Sequence, residues 1–206
     1  MSWPIFLMRS TPSRAKGTRS RSSARAHAAH VRTGDLIEVH SASARDTDRL
    51  GRVIGRALLG GETLALSGPL GSGKTALVRG VAVGLGAVAS TVSSPTFVLI
   101  HEYQGRLPLA HVDLYRLNSG SELQSTGMSD YLSGQTVAAI EWADKALLSL
   151  PQDRVDILLE HLSTESRSIT LRAAGPTSTA LLNQIERELR RSGLSCRRLR
   201  VNPKKA

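Results

Sequence analysis

The stretch SGPLGSGKTALVRG, residues 67–80, interrupts an apolar region with glycines, one lysine and one threonine. Gly68-Pro69-Leu70-Gly71-Ser72-Gly73-Lys74-Thr75 fits G-x-x-x-x-G-K-[ST]. Its flanks are those the motif requires. TLALSG (63–68) is a short apolar run that fits a buried strand. Residues 74–85 place Leu77, Val81 and Leu85 on one helical face. Glycine lets the backbone bend tightly and present consecutive N–H groups to phosphate oxygens. The helix beginning near Lys74 adds its positive end. Gly68, Gly71, Ser72, Gly73, Lys74, Thr75 and Ala76 are therefore the candidate cradle for a nucleotide. Lys74 is placed to reach the β- and γ-phosphates, and the Thr75 hydroxyl to bind Mg²⁺.

Outward from this loop, strand and helix patterns alternate. LIEVHS (36–41) alternates apolar and polar residues and reads as a strand. Residues 45–59 put Leu50, Val53, Ile54, Ala57 and Leu58 at helical spacing, with Asp46 and Asp48 near the positive end and Gly60-Gly61 as the stop. FVLIHEY (97–103), LPLAHVDL (107–114) and TVAAIEW (136–142) read as strands. VDILLEHL (155–162) and SRSITLRA (166–173) read as a hairpin, and 177–191 as an amphipathic helix. Short helical pieces and loops fill 118–135. The order predicts an α/β, three-layer, P-loop NTPase-like domain with a mixed sheet over residues 35–191.

The net charge of +10 is unevenly spread. Residues 1–34 carry seven Lys/Arg and no acid, and residues 189–206 carry seven more and again no acid. The body between them holds thirteen basic and seventeen acidic residues. The basic character thus belongs to the ends, which predicts a disordered Ser/Arg-rich arm over 1–34 and a basic tail over 192–206. Such ends attract nucleic acid without specificity, whereas the acidic body has no basic face for gripping RNA alone. The arm also has the composition of an organelle transit peptide. A single cysteine, Cys196, permits no internal disulfide and suits a reducing, cytoplasmic setting. No apolar run approaches the ~18 residues that span a membrane.

A P-loop works with a carboxylate at the end of a neighbouring buried strand. Asp113 closes LPLAHVD and Glu141 closes TVAAIE, each where an open α/β sheet places its ligands. Asp113, Glu141 and Lys74 are the candidate catalytic residues, with Thr75 and Glu141 as the candidate metal pair. Thr96, in SSPTF, reads equally as a switch residue sensing the γ-phosphate and as a turn threonine after Pro95. Trp142 follows Glu141 directly.

Other P-loop classes fit less well. GTPases read their base with N-K-x-D, which this sequence lacks, and its D-x-x-G match, Asp48 to Gly51, precedes the P-loop. LSGQ (132–135) matches an ABC signature, but five residues separate it from Glu141 and leave no room for a helix. A P-loop kinase of a small metabolite remains the alternative, with Arg106 and Arg116 available for a lid.

GPLGSGKT, SSPTFVLIHEY, HVDLYRL and IEWAD, in this order and at these separations, closely resemble the TsaE family over about residues 38–173. That family is the ATPase of bacterial tRNA threonylcarbamoyladenosine modification. Pro69 is a departure, since the family commonly has an acidic residue there. The resemblance implies ATP and Mg²⁺ as cofactors, with Thr75 and Glu141 as the Mg²⁺ pair and Asp113 as a catalytic or metal-orienting carboxylate. It places Thr96 at a switch-like position, Trp142 near the nucleotide, Thr47 near the base pocket and Ser166 on a late loop reaching the nucleotide. It also implies a TsaB–TsaD heterodimer as partner, with tRNA met only through that complex, and a slow ATPase that its partners stimulate.

Overall fold

The computed structural model describes residues 35–88, 99–117 and 127–200. Thr96 and its loop, residues 118–126, the arm over 1–34 and residues 201–206 lie outside the described residues.

The described chain begins with strand β1 (Asp35–Ser41), followed by helix α1 (Ala44–Ala57). Ser43 caps α1 by accepting a hydrogen bond from the Asp46 N–H at 3.1 Å. The helix ends before the predicted Gly60-Gly61 stop, at Leu58, where the backbone turns extended. There the Glu62 carboxylate takes the Leu59 and Gly60 N–H groups, each at 2.7 Å, which holds the turn into the next strand. Strand β2 (Thr63–Ser67) leads through the glycine loop into α2 (Lys74–Gly84). Then follow β3 (Ile100–Tyr103), β4 (Leu109–Asp113), a 3-10 turn (Met128–Leu132) and β5 (Val137–Glu141). Two further 3-10 turns (Ala143–Lys145 and Leu147–Ser149) precede the hairpin of β6 (Val155–His161) and β7 (Arg167–Ala173). Helix α3 (Pro176–Ser192) and strand β8 (Cys196–Arg200) close the described chain.

One mixed sheet has the order β3-β4-β5-β2-β6-β7-β1-β8. Strands β4, β5, β2 and β6 run parallel, and the remaining pairings are antiparallel. Helices α1, α2 and α3 pack on one face, around Leu50, Ile54, Leu77, Val81, Leu182 and Ile185. Leu50 and Ile54 are fully buried, and each such side chain contributes roughly 1.5–3 kcal/mol. The opposite face over β4, β5 and β2 is covered by the 3-10 turns, through Met128, Ala143, Ala146 and Leu150 against Val112, Ala138 and Ile140. Among the described residues, this third layer is built of 3-10 turns.

α1 and α2 touch backbone to backbone. A Cβ on Gly51 would lie 2.1 Å from the Leu77 carbonyl oxygen, and one on Gly80 would lie 2.1 Å from that of Asp48. Only glycine permits this approach, which locks the helix carrying Lys74 and Thr75 against the one carrying Thr47.

The expected boundary at residue 191 needs correction. Residues 196–200, expected in the basic tail, form β8 on the sheet edge beside β1. Arg198 donates to Asn183 Oδ1 at 2.7 Å, Glu186 Oε2 at 2.6 Å and Asp35 Oδ2 at 2.5 Å. Its positive charge is thus spent on fold contacts. An arginine-rich strand lacks apolar alternation, yet charged side chains suit a sheet edge, where they discourage further strand pairing.

Candidate nucleotide-binding site

β2 ends at Ser67 and the chain turns through the loop before α2 begins at Lys74. Gly73 stands at the α2 N-terminus with φ 102°, in the left-handed region that glycine adopts without strain. The loop therefore delivers its backbone N–H groups and the start of α2 to one point. Ser72 Oγ is buried there without a hydrogen-bond partner. An orphaned donor inside a glycine loop is what a phosphate-binding cradle presents when the ligand supplies the acceptor.

Lys74 is buried, and its ammonium folds back over the loop to donate to the Gly68 and Pro69 carbonyls at 2.9 and 3.0 Å. The same ammonium sits 3.8 Å from the Trp142 ring centroid. Burial lowers the Lys74 pKa, and the nearby Glu141, Asp113 and Asp144 carboxylates partly offset this. Trp142 has φ 58°, which is uncommon for a bulky residue, and its ring leans on Tyr115 at 5.1 Å between centroids. Backbone strain of this sort collects at functional sites.

Asp113 and Glu141 face each other in register at the ends of parallel β4 and β5, and both are buried. The Thr75 hydroxyl donates to Glu141 Oε2 at 3.1 Å. The other oxygen, Glu141 Oε1, lies 2.8 Å from Nε2 of His111, which is fully buried. Since a carboxylate only accepts, His111 carries its proton on Nε2 in this pair. Asp113 Oδ1 accepts the Tyr115 N–H at 2.9 Å. A hydroxyl and a carboxylate in contact beside a phosphate cradle are an oxygen-donor set suited to Mg²⁺, which keeps several waters and takes few protein ligands.

The structure thus assembles Gly68, Gly71, Ser72, Gly73, Lys74, Thr75, Ala76, Asp113, Glu141 and Trp142 around one loop. Thr47 approaches it by its methyl, 3.6 Å from where a Cβ on Gly73 would lie, while its hydroxyl meets Ser41 Oγ at 2.8 Å. Ser166 sits in the β6–β7 turn and pairs with Ser163 Oγ at 2.7 Å.

Sequence reasoning did not single out His111 and so missed that it holds Glu141. The signal was its place two residues before Asp113 on the same strand, which puts both side chains on one sheet face. It also missed Arg167, whose Nε lies 4.0 Å from the Gly73 Cβ position. Arg106, offered to a kinase lid, instead donates to the Gly55, Arg56 and Leu58 carbonyls at 2.8, 3.2 and 2.6 Å. It satisfies the orphan carbonyls at the end of α1.

Comparison with known proteins agrees with this geometry. A family model described as threonylcarbamoyl adenosine biosynthesis protein TsaE matches residues 41–169. The chain is 42% identical over 131 residues to the tRNA threonylcarbamoyladenosine biosynthesis protein TsaE of Treponema pallidum, covering 64% of this chain and 96% of that protein. It is 41% identical over 128 residues to the protein of the same name from Bacillus subtilis, covering 62% and 79%. Among solved structures, the crystal structure of Bacillus subtilis YdiB is similar, with a TM-score of 0.64 and 30% identity over 76% of this chain and 97% of that one. Among the described residues, no helix is long and apolar enough to cross a membrane.

Proposed function

The chain belongs to the TsaE family of threonylcarbamoyladenosine biosynthesis proteins, and from that premise we propose that it binds ATP with Mg²⁺ and hydrolyses it in support of tRNA modification by a TsaB–TsaD complex. The observation that carries this reading is the contact between Thr75 and Glu141 beside the buried Lys74. It brings the glycine loop, a buried cation and a hydroxyl–carboxylate pair to one point.

In this reading the loop N–H groups and Lys74 hold the phosphates, and Lys74 neutralises charge that grows on them as the terminal bond breaks. Thr75 and Glu141 would hold Mg²⁺, which would supply further positive charge at the phosphates. His111 keeps the Glu141 carboxylate turned towards Thr75. Asp113, in register beside Glu141, is the carboxylate assigned to orient the attacking water. The kinase alternative is weakened because Arg106 is committed to the end of α1.

The test is phosphate release from ATP by the full chain, alone and with a TsaB–TsaD pair. Slow release alone and faster release with the pair is the expected result. Equal rates in both conditions would remove the partner-stimulated reading, and transfer of the γ-phosphate to a metabolite would favour a kinase.

A further inference from the structure

The hairpin of β6 and β7 meets the P-loop with a side chain that the reading above leaves unused. Its inner-face residues alternate along both strands. Leu159 pairs with Ile169 in the core, and the next inner pair outward is His161 with Arg167. Ser41 of β1 stands opposite Arg167 in register on the other side. The apolar row of the sheet therefore ends in a polar row beside the glycine loop. His161 Nε2 makes a long contact, 3.4 Å, with the Leu70 carbonyl. Arg167 Nε is buried without a hydrogen-bond partner, 4.0 Å from where a Cβ on Gly73 would lie. Its Nη1 donates to the Glu165 carbonyl.

A buried guanidinium N–H without an acceptor is costly, and a ligand that supplied the acceptor would offset that cost. Sheet order tells which part of the ligand that is. Thr75, Glu141, Asp113 and Trp142 cluster on the β5–β4 side of β2, so the γ-phosphate and the metal belong there. Arg167 comes from the β6–β7 side, across β2. A nucleotide whose terminal phosphate points to β5 extends its nucleoside towards β7. Thr47, on the same side, adds an apolar methyl 3.6 Å from the Gly73 Cβ position.

We propose that Arg167 is a positioning residue for the nucleoside end of the nucleotide, gripping the base and ribose and not the β- and γ-phosphates. The proposal rests on the nucleotide-binding reading above. A planar guanidinium suits this task, since it both stacks on a ring and donates in a fixed fork.

The experiment is isothermal titration of the full chain with ATP, ADP and inorganic tripolyphosphate, for wild type, Arg167→Met and Arg167→Lys. Arg167→Met should weaken ATP and ADP by the same factor, about tenfold or more for a lost hydrogen bond from a charged group. Tripolyphosphate affinity should stay as in wild type. Arg167→Lys should recover only part of the loss, because it keeps the charge without the fork. The nucleotide-free variants should melt no lower than wild type, since they lose a buried donor that has no partner. A loss for ATP that ADP does not share would move Arg167 to the γ-phosphate and overturn the proposal, as would an equal loss for tripolyphosphate. Unchanged ATP and ADP affinity would overturn it too, and early melting with intact affinity would make Arg167 a fold residue. If wild type itself binds no ATP, the nucleotide reading falls, and that result is distinct from any difference between variants.

Discussion

The two flanks of the P-loop are built differently. On the β5–β4 side most polar groups are already bonded to one another, Thr75 to Glu141, Glu141 to His111, Asp113 to the Tyr115 backbone, and Lys74 to the loop under Trp142, with His111 Nδ1 the buried exception. On the loop and hairpin side, Ser72 Oγ and Arg167 Nε are buried without partners. A flank whose groups hold each other is preorganised for charge that develops during a reaction, because little must move when it appears. A flank with waiting donors is suited to gaining its bonds on binding. On the proposed function, the difference would separate chemistry from recognition within a single site.

If that separation is right, substitutions on the bonded flank should damage turnover before affinity. Glu141→Ala should slow ATP hydrolysis by about 10²–10³-fold, the scale of losing one preorganised electrostatic group. Nucleotide affinity should suffer much less. Single-turnover phosphate release beside a binding titration reads both, and equal losses would make Glu141 a fold residue and erase the contrast. Lys74 lies where the flanks meet. Lys74→Ala should weaken ATP binding by about 10–100-fold, since charge-assisted hydrogen bonds carry ~1.5–3 kcal/mol. An unchanged affinity would mean that the loop binds no phosphate.

A substitution outside both flanks sharpens the comparison by touching stability alone. Asp153 accepts the Thr177 and Ser178 N–H groups at 2.8 and 2.9 Å and so caps α3. Burial pushes its pKa up, but the hydrogen bonds from Ser178 and Thr177 together outweigh that and leave it lowered. A depressed carboxylate stabilises the fold above its unfolded pKa and loses that contribution as the pH falls through the folded value. Asp153→Ala should therefore cost about 1 kcal/mol at neutral pH in a denaturant melt. The deficit should shrink as the pH drops below the ordinary carboxylate value of about 4. A deficit that persists in acid would assign it to packing and not to the charged cap.

The smallest expected effect is optical. Trp142 is one of two tryptophans, the other being Trp3 in the arm. Its ring covers the Lys74 ammonium, so saturating ADP should change its emission as Lys74 turns to phosphate. An unaltered spectrum would mean that the ring does not report on that lysine.

Much of this site was legible because local chemistry writes it locally. The phosphate loop is eight consecutive residues, Gly68 to Thr75, and its glycines are demanded by the backbone geometry they adopt. Asp113 and Glu141 were readable because each ends an apolar run, and a parallel strand of that kind delivers its last residue to the ligand edge. β8 was not readable, because CRRLR shows no strand alternation and gains its place only by pairing with β1 and bonding Asp35 and Glu186.

The amino-acid sequence by itself determined the order of strands and helices from β1 to α3, the loop, the two carboxylates and the family, since each depends on neighbours along the chain. The tertiary structure alone decided what those residues touch. Gly51 and Gly80 read as unremarkable helix glycines until two helices cross at their backbones. His111 is separated from Glu141, and Arg167 from Gly73, by long stretches of sequence, and only strand register and sheet order bring them together. Contacts of that kind depend on which faces are buried against which. Periodicity along one segment reports a buried face but not the partner that covers it.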